Sequence, residues 1–429
     1  LGRPGSAAFD LYDLERIEVL RGPQGTLYGR NVTGGVINIY TKQPAKTFEA
    51  KAGATLGNYD LSVLRGYVSG PLSDAVRGKL SVSRTDHGGY AHNVDNGQEL
   101  DDAHNFSARG QLVMDVSEAT SLTLSGDLSR DRTNGDCRYT TYLDASIGGQ
   151  AFNGANIPMM LAARTQEGIT GPRECGQSWT QFANRDNSGV SLRVVHDAGW
   201  AELTSITAYR RNEFEWRQEL GGMDAPPSLF KVPDNEGEHS WQATQEFRLS
   251  KGTEHLNWVV GAFGFRENVD RFARVPQIFS PTSPVNPGVA LNRLWKQGST
   301  NTSYAAFGQA TWEFLPRVSL TLGGRYTKDD KEIDQYYWQN NVVVYDLKNI
   351  DKTWSRFTGR ASLDWRITDR VMAYATYSEG YKSGVFISQS TLPIPAQTAL
   401  APEDARNVEV GLRSEWFGGR ARLNVTAYD

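Results

Sequence analysis

Residues Arg356 to Ile367 read RFTGRASLDWRI, and the reading of this stretch decides the fold. Phe357, Gly359, Ala361, Leu363, Trp365 and Ile367 alternate with Arg356, Thr358, Arg360, Ser362, Asp364 and Arg366. An extended chain sends successive side chains to opposite faces, so this strand has one apolar face and one charged face. A strand of about ten residues, tilted near 45°, spans the apolar layer of a membrane. The same pattern returns in Ser121 to Ser129, Asn407 to Trp416 and Arg420 to Tyr428. Reading outward from these gives about fifteen strands of roughly ten residues between residue 47 and the end of the sequence.

The connections alternate between tight and long. Turns at 71–74, 197–199, 315–317, 368–369 and 417–419 alternate with segments at 131–185, 213–239, 268–302, 329–355 and 380–403. A β-propeller or secreted β-sandwich has no reason to enlarge every second loop at one end; a transmembrane β-barrel does. Composition permits this. The 429 residues carry 45 Lys+Arg against 49 Asp+Glu, a formal charge of −4 that argues against a nucleic-acid binder. The longest nearly apolar stretch, Trp258 to Phe265, is too short for a membrane helix. The mean hydropathy of −0.50 excludes a helical membrane protein but not a barrel, whose lipid-facing residues alternate with polar ones. Trp241, Trp258, Trp312, Trp354, Trp365 and Trp416 fall near strand ends, where interfacial girdles place amphipathic rings.

Residues 1 to 46 read differently. An alternating strand, Asp13 to Arg21, runs into Gly22-Pro23-Gln24-Gly25, then Thr26 to Asn31, then Gly34-Gly35 and a second strand, Val36 to Thr41. Glycine clusters imply tight turns and close backbone approach, and no Gly-Lys-Ser/Thr follows to make a phosphate loop. The segments DLERIEVLRGP (Asp13 to Pro23), QGTLYGR (Gln24 to Arg30) and GGVINIYTK (Gly34 to Lys42) closely resemble the end of the plug domain of TonB-dependent outer-membrane receptors. The resemblance rests on Arg16, Arg21, Gly22, Pro23, Gly25, Tyr28, Gly29, Arg30, Gly34 and Gly35, and continues downstream in Gln245 to Leu249, Tyr377 to Lys382 and Asn407 to Leu412.

The resemblance implies an all-β protein of the 22-stranded barrel family, filled by an N-terminal plug, with residues 1–46 as the C-terminal part of the plug and 47–429 as barrel. It implies uptake of a scarce, bulky nutrient, with a ferric siderophore as the leading candidate and cobalamin or a carbohydrate as rivals. The implied setting is the outer membrane of a Gram-negative bacterium, with TonB and outer-membrane lipids as partners. A passive porin is the alternative from another class. With about fifteen strands and the first part of the plug missing, the chain is expected to be a piece of a longer protein.

Further expectations concern single residues. Cys137 and Cys175 share the longest loop, and an even count outside the cytoplasm reads as a disulfide; no second Cys or His at ligand spacing supports a metal site. The six histidines, Asp101-Asp102 and Asp329-Asp330 read as solvated loop or turn residues, and no catalytic arrangement or cofactor is expected. Trp179, Trp216, Tyr337, Trp338 and Tyr381 are candidates for ligand contact. For seating the plug, the resemblance places Arg21 against barrel-wall glutamates, with Glu246 and Glu409 as candidates; local pairing with Glu18 or Glu15 is the alternative.

Overall fold

The computed structural model describes residues 13–138, 165, 168–177, 179–219, 230–231, 233–279 and 290–429. Two antiparallel strands, β1 (Leu14–Arg21) and β2 (Gly35–Thr41), form an N-terminal hairpin around a single helical turn, α1 (Gly25–Tyr28). From Glu49 onward the chain builds one large sheet, in which fifteen strands lie in sequence order from Glu49–Leu56 to Ala421–Tyr428, with Phe230–Lys231 as a short addition. The boundary expected at 46/47 falls between the hairpin and the first strand of this sheet.

Period-two patterning sets the faces. Tyr304 and Trp312, Tyr326 and Leu322, and Phe357 and Trp365 are exposed on the outer face of neighbouring strands. Arg325, Thr327 and Asp329, between them in phase, are buried inside. Tyr304 and Trp312 are eight residues apart, which at 3.3 Å rise and a 40° tilt is about 20 Å along the barrel axis. These rings therefore bracket an apolar band of membrane thickness. Trp354 departs from the expected girdle: it is buried, with its ring against Phe386.

The connections correct the expected loops. The strands Pro233–Gly252, Leu256–Phe279, Ala290–Leu315, Val318–Gln339 and Val342–Thr368 contain 20, 24, 26, 22 and 27 residues. Much of 268–302 and nearly all of 329–355, expected as loops, is strand that continues past the apolar band. Asn340 and Asn341, with φ of 49° and 66°, close Val318–Gln339 onto Val342–Thr368 in a two-residue turn. Both residues need positive φ there, which asparagine tolerates. Short turns at 74–75, 316–317 and 369–370 fall at or beside the expected ones and 118–119 is a further one, but the expected alternation of short and long breaks at 340–341, where the connection is as short as the turns on either side of it.

Two connections at the long-loop end have their own structure. Ala91–Asn93, Glu99–Leu100 and Glu174–Cys175 form a small three-stranded sheet that joins segments far apart in sequence. Cys137 and Cys175 are bonded there, with Cα atoms 5.8 Å apart, beside fully buried Leu100 and Asn93. The segment after Lys382 folds back over the inner face of the wall as a bridge, Val385–Phe386 with Ala399–Leu400, and a short helix, α2 (Pro393–Gln397).

Candidate functional site: the plug seat and the inner lid

The hairpin sits against the inner face of the large sheet, held by ion pairs at two points, with Arg360 Nη1 of the wall also donating to Gln24 Oε1 at 3.3 Å. At its start, the Asp13 carboxylate lies 2.5 Å from Lys79 Nζ and accepts the Ser81 hydroxyl at 3.1 Å, all three groups buried. Lys79 also donates to the Lys42 carbonyl, and the Lys42 amide donates to Asp13 O at 2.9 Å, so one lysine ties both ends of the hairpin to the strand Val76–His87.

The second point is the turn after α1. Gly29 adopts φ +80°, and a Cβ there would stand 3.1 Å from the Arg325 guanidinium, so glycine lets the turn lie against the wall. The turn delivers Arg30, whose Nη1 is 2.7 Å from Asp329 Oδ1, with the Asp329 side chain 1% exposed. The Arg30 guanidinium carbon lies 4.6 Å from the centre of the Phe265 ring. Tyr381 closes the group: its hydroxyl donates to Asp329 Oδ2 at 2.8 Å, and its carbonyl accepts the Asn31 amide at 2.7 Å. Asp329 thus has a cation on one oxygen and a hydroxyl on the other, which is what a buried carboxylate needs.

This corrects two expectations. Asp329 is a buried anchor rather than a solvated turn residue; Asp102 is also buried, and its carboxylate accepts the Asn134 amide at 2.6 Å. Arg21 makes no ion pair with a described residue. It is exposed at the edge of a cavity of about 1470 Å³ that Glu409 also lines. Glu409 accepts the Tyr374 hydroxyl and Glu246 pairs with Arg248, while Glu18 and Glu15 pair with Arg16. The physical reason is geometric: Arg21 ends β1 opposite Gly35, facing the cavity, whereas the Gly29 turn carries Arg30 to the wall.

Above this seat lies the inner lid, residues 383–400, tied to five strands. Lys331 Nζ donates to Gly384 O at 2.5 Å and Gln335 Nε2 to Ile387 O at 2.9 Å. Arg271 Nη1 donates to the Ser388 hydroxyl at 3.3 Å, and Gln389 Nε2 to Glu236 Oε1 at 2.6 Å. Trp295 Nε1 and the Tyr345 hydroxyl both donate to Ser390 O at 2.8 Å. Burial, and next the Arg30 charge, push the Lys331 ammonium down to about 8. Burial, with Glu236 beside it, pushes the nearby Asp234 carboxyl up to about 6, against the opposing pull of Arg271. A second, polar cavity of about 280 Å³ lies beside the lid, lined by Asn187, Asn212, Glu267, Asn301 and Val385 among others.

The five aromatic candidates are not brought together. Tyr337 is buried between Trp295, 4.9 Å away and stacked, and Tyr345 at 5.6 Å; Tyr381 is buried on Asp329. Neither ring is open to a ligand, which corrects both. Trp338 is half-buried, Trp216 stacks on Phe214, and Trp179 is exposed on the loop after the disulfide. The lid itself was missed in the sequence; its only local signal is the Pro393–Pro395 pair.

A family model described as "TonB dependent receptor-like, beta-barrel" matches residues 51–429, and one described as "TonB-dependent Receptor Plug Domain" matches residues 1–36. The chain belongs to the TonB-dependent receptor family. Among its relatives is a ferrioxamine receptor of Yersinia enterocolitica, 24% identical over 98% of this chain and 56% of the relative. A pesticin receptor of Yersinia pestis is also 24% identical, over 94% of this chain and 54% of the relative. The receptor chain therefore spans little more than half the length of the curated relatives it matches. Solved structures agree in fold: the ferric yersiniabactin uptake receptor from Yersinia pestis has a TM-score of 0.77 at 19% identity, covering 97% of this chain and 59% of that one. The siderophore receptor from Acinetobacter baumannii has a TM-score of 0.73 at 16% identity, covering 97% and 62%.

Proposed function

We propose that this receptor takes up a ferric siderophore across the outer membrane of a Gram-negative bacterium, in steps of ligand binding at the outer loops and gated passage driven through TonB. The observation that carries the reading is the hairpin fastened inside the wall by Asp13–Lys79 and Arg30–Asp329. A passive porin has no use for a plug held by buried ion pairs, since each costs desolvation that only a seated plug recovers. Residues 1–46 are then plug and 47–429 barrel. The names of the relatives, which include receptors for ferrioxamine and ferric aerobactin, favour a ferric siderophore over cobalamin or a carbohydrate. The lid and the polar cavity beside it supply the inner wall of a ligand chamber, with Trp179 and Trp216 as the aromatic side chains of the original five still accessible to a solute there; Trp338, next to inward Tyr337, is on the outer face of its strand.

The test is radioiron uptake by cells that express the full-length receptor and lack other siderophore receptors, offered iron-loaded ferrioxamine. Uptake abolished by a protonophore is the expected outcome. Uptake that persists without the proton gradient would instead mean a porin, and uptake of cobalamin but of no ferric chelate would reassign the substrate.

A further inference from the structure

Beside the lid, adjacent buried polar atoms of the inner wall lack partners, and neither the plug seat nor the lid uses them. Glu236 identifies the inner face, because its Oε1 takes the lid's Gln389. The ladder between Glu202–Glu219 and Pro233–Gly252 sets Trp216 opposite Glu236 and Gln218 opposite Asp234. Side chains two residues apart on a strand share a face, so these four all point into the chamber. Gln218 and Asp234 are only 4% and 6% exposed, yet Gln218 Nε2 and Asp234 Oδ1 make no hydrogen bond. Trp216 Nε1, also buried, has no partner either.

Opposed residues of an antiparallel pair have Cβ atoms about 5 Å apart, close enough for an amide to meet a carboxylate. These two do not meet. A donor and an acceptor stay open side by side, with the indole N–H one row away. Buried groups left unmatched are costly, and here the cost falls on neighbouring positions. The charges nearby do not meet the need. Both Glu236 oxygens are taken, Oε2 by Arg271 Nη2 at 2.6 Å, and Arg271 Nη1 donates to Ser388. Arg138 acts on Asp234 only through space. With Glu238 two residues further on, the stretch sets three carboxylates, Asp234, Glu236 and Glu238, against these two guanidiniums.

We propose that Asp234, Gln218 and Trp216 select the charge of the solute: they take a ferric chelate that bears an ammonium group. The ammonium donates to Asp234, and carbonyl or hydroxamate oxygens of the chelate accept from Gln218 and Trp216. The types match, since an ammonium only donates and an ionised carboxylate only accepts. A chelate with an anionic tail would meet three carboxylates instead. Trp216 is half-buried and stacked on Phe214, so the site opens on its side. The polar cavity of about 280 Å³ continues down the same two strands, at Asn212, Glu238 and Ser240. This inference rests on the siderophore reading above.

The experiment measures equilibrium binding of two iron-loaded chelates to the full-length receptor. Ferrioxamine B ends in a free ammonium group, and its N-acetyl derivative does not. At pH 7.5 the ammonium form should bind about tenfold more tightly. Asp234→Asn, which keeps the shape, should remove that preference. Trp216→Phe should weaken both forms alike and keep it. The wild type alone gives a second measure should the Asp234 variant misfold. The Asp234 carboxyl is pushed up to about 6, so it ionises between pH 5 and pH 7.5 while the ammonium stays charged. Affinity for the ammonium form should therefore rise about tenfold over that range, with the acetylated form unchanged. Equal binding of the two forms, a preference that survives Asp234→Asn, or one pH profile shared by both would overturn the site and leave its open atoms to water. A receptor that binds neither form would overturn the siderophore reading beneath it as well.

Discussion

Arg30 Nη1 and Asp329 Oδ1 meet at 2.7 Å across 299 residues of sequence, joining the plug segment to the outer half of a wall strand. Removing one partner of such a pair leaves an uncompensated buried charge. Arg30→Ala should therefore destabilise the seated plug by about 3 kcal/mol, while Arg30→Ala combined with Asp329→Ala should cost less than the sum of the two single changes. Arg21→Ala, at an exposed side chain, should stay within about 0.5 kcal/mol. Leak of bulky antibiotics through the full-length receptor, together with thermal melting, measures the difference. Equal effects at Arg21 and Arg30 would remove Arg30 from its anchoring role.

Gly35 has φ +142°, and a Cβ built on it would lie 2.4 Å from Leu20 O. Gly35→Ala should open the hairpin at its narrow end, at a cost of about 2–3 kcal/mol from strain and clash together. Gly34, whose Cβ would meet nothing within 4 Å, should accept alanine far more easily. Limited proteolysis between Gly22 and Gly34 should accelerate only in the first variant.

The lid should loosen in steps. Trp295→Phe and Tyr345→Phe each remove one donor from Ser390 O, at about 1 kcal/mol apiece. Amide exchange at residues 387–392 should rise about fivefold in either variant and more in both, with the plug hairpin unaffected. Equal exchange in the hairpin would mean that lid and plug unfold together.

Asp234 supplies a pH dependence. Its carboxyl is raised from the ordinary value to about 6, so the folded outer wall binds its proton more tightly than the unfolded chain does. The stabilisation is complete below about pH 4 and is lost as pH rises through about 6, an effect of about 1–2 kcal/mol after discounting for partial solvation. Protection factors for the amides of Arg217, Gln218, Asp234 and Asn235, on the two paired strands, should fall between pH 5 and pH 7.5 in the wild type. Asp234→Asn should flatten the profile; a profile that stays steep would assign the effect to Glu236 or another group.

Much of this fold was legible because burial on one face and lipid on the other impose a strict alternation, as in Arg356 to Ile367. The rule fades above the apolar band. In Lys328 to Glu332 both faces are charged, Lys328 and Asp330 outward and Asp329 and Lys331 inward, so strand and loop look alike in sequence. The Asn340-Asn341 pair was the available sign that the strands continue to a tight turn. The disulfide was readable from cysteine count and compartment, and the structure forms it. The plug seat was readable as a motif but not in its partners, since the choice of Arg30 over Arg21 depends on the left-handed turn at Gly29. Burial of Tyr337 and Tyr381 depends on the lid, whose path over the wall no local pattern announces.

The two anchors of the hairpin lie far apart around the wall: Lys79 is on the third strand of the sheet and Asp329 on the eleventh. A rigid insert fixed at two such distant points acts as a strut. It resists the breathing modes in which a wide cylinder flattens toward an ellipse, so its withdrawal would change the elasticity of the wall as well as clear the passage. A force applied along the chain would load the Asp13 end and the Arg30 end in succession rather than together. The energy needed at any instant would then be that of one ion pair, which lets a modest pull undo a fastening whose total strength is much greater.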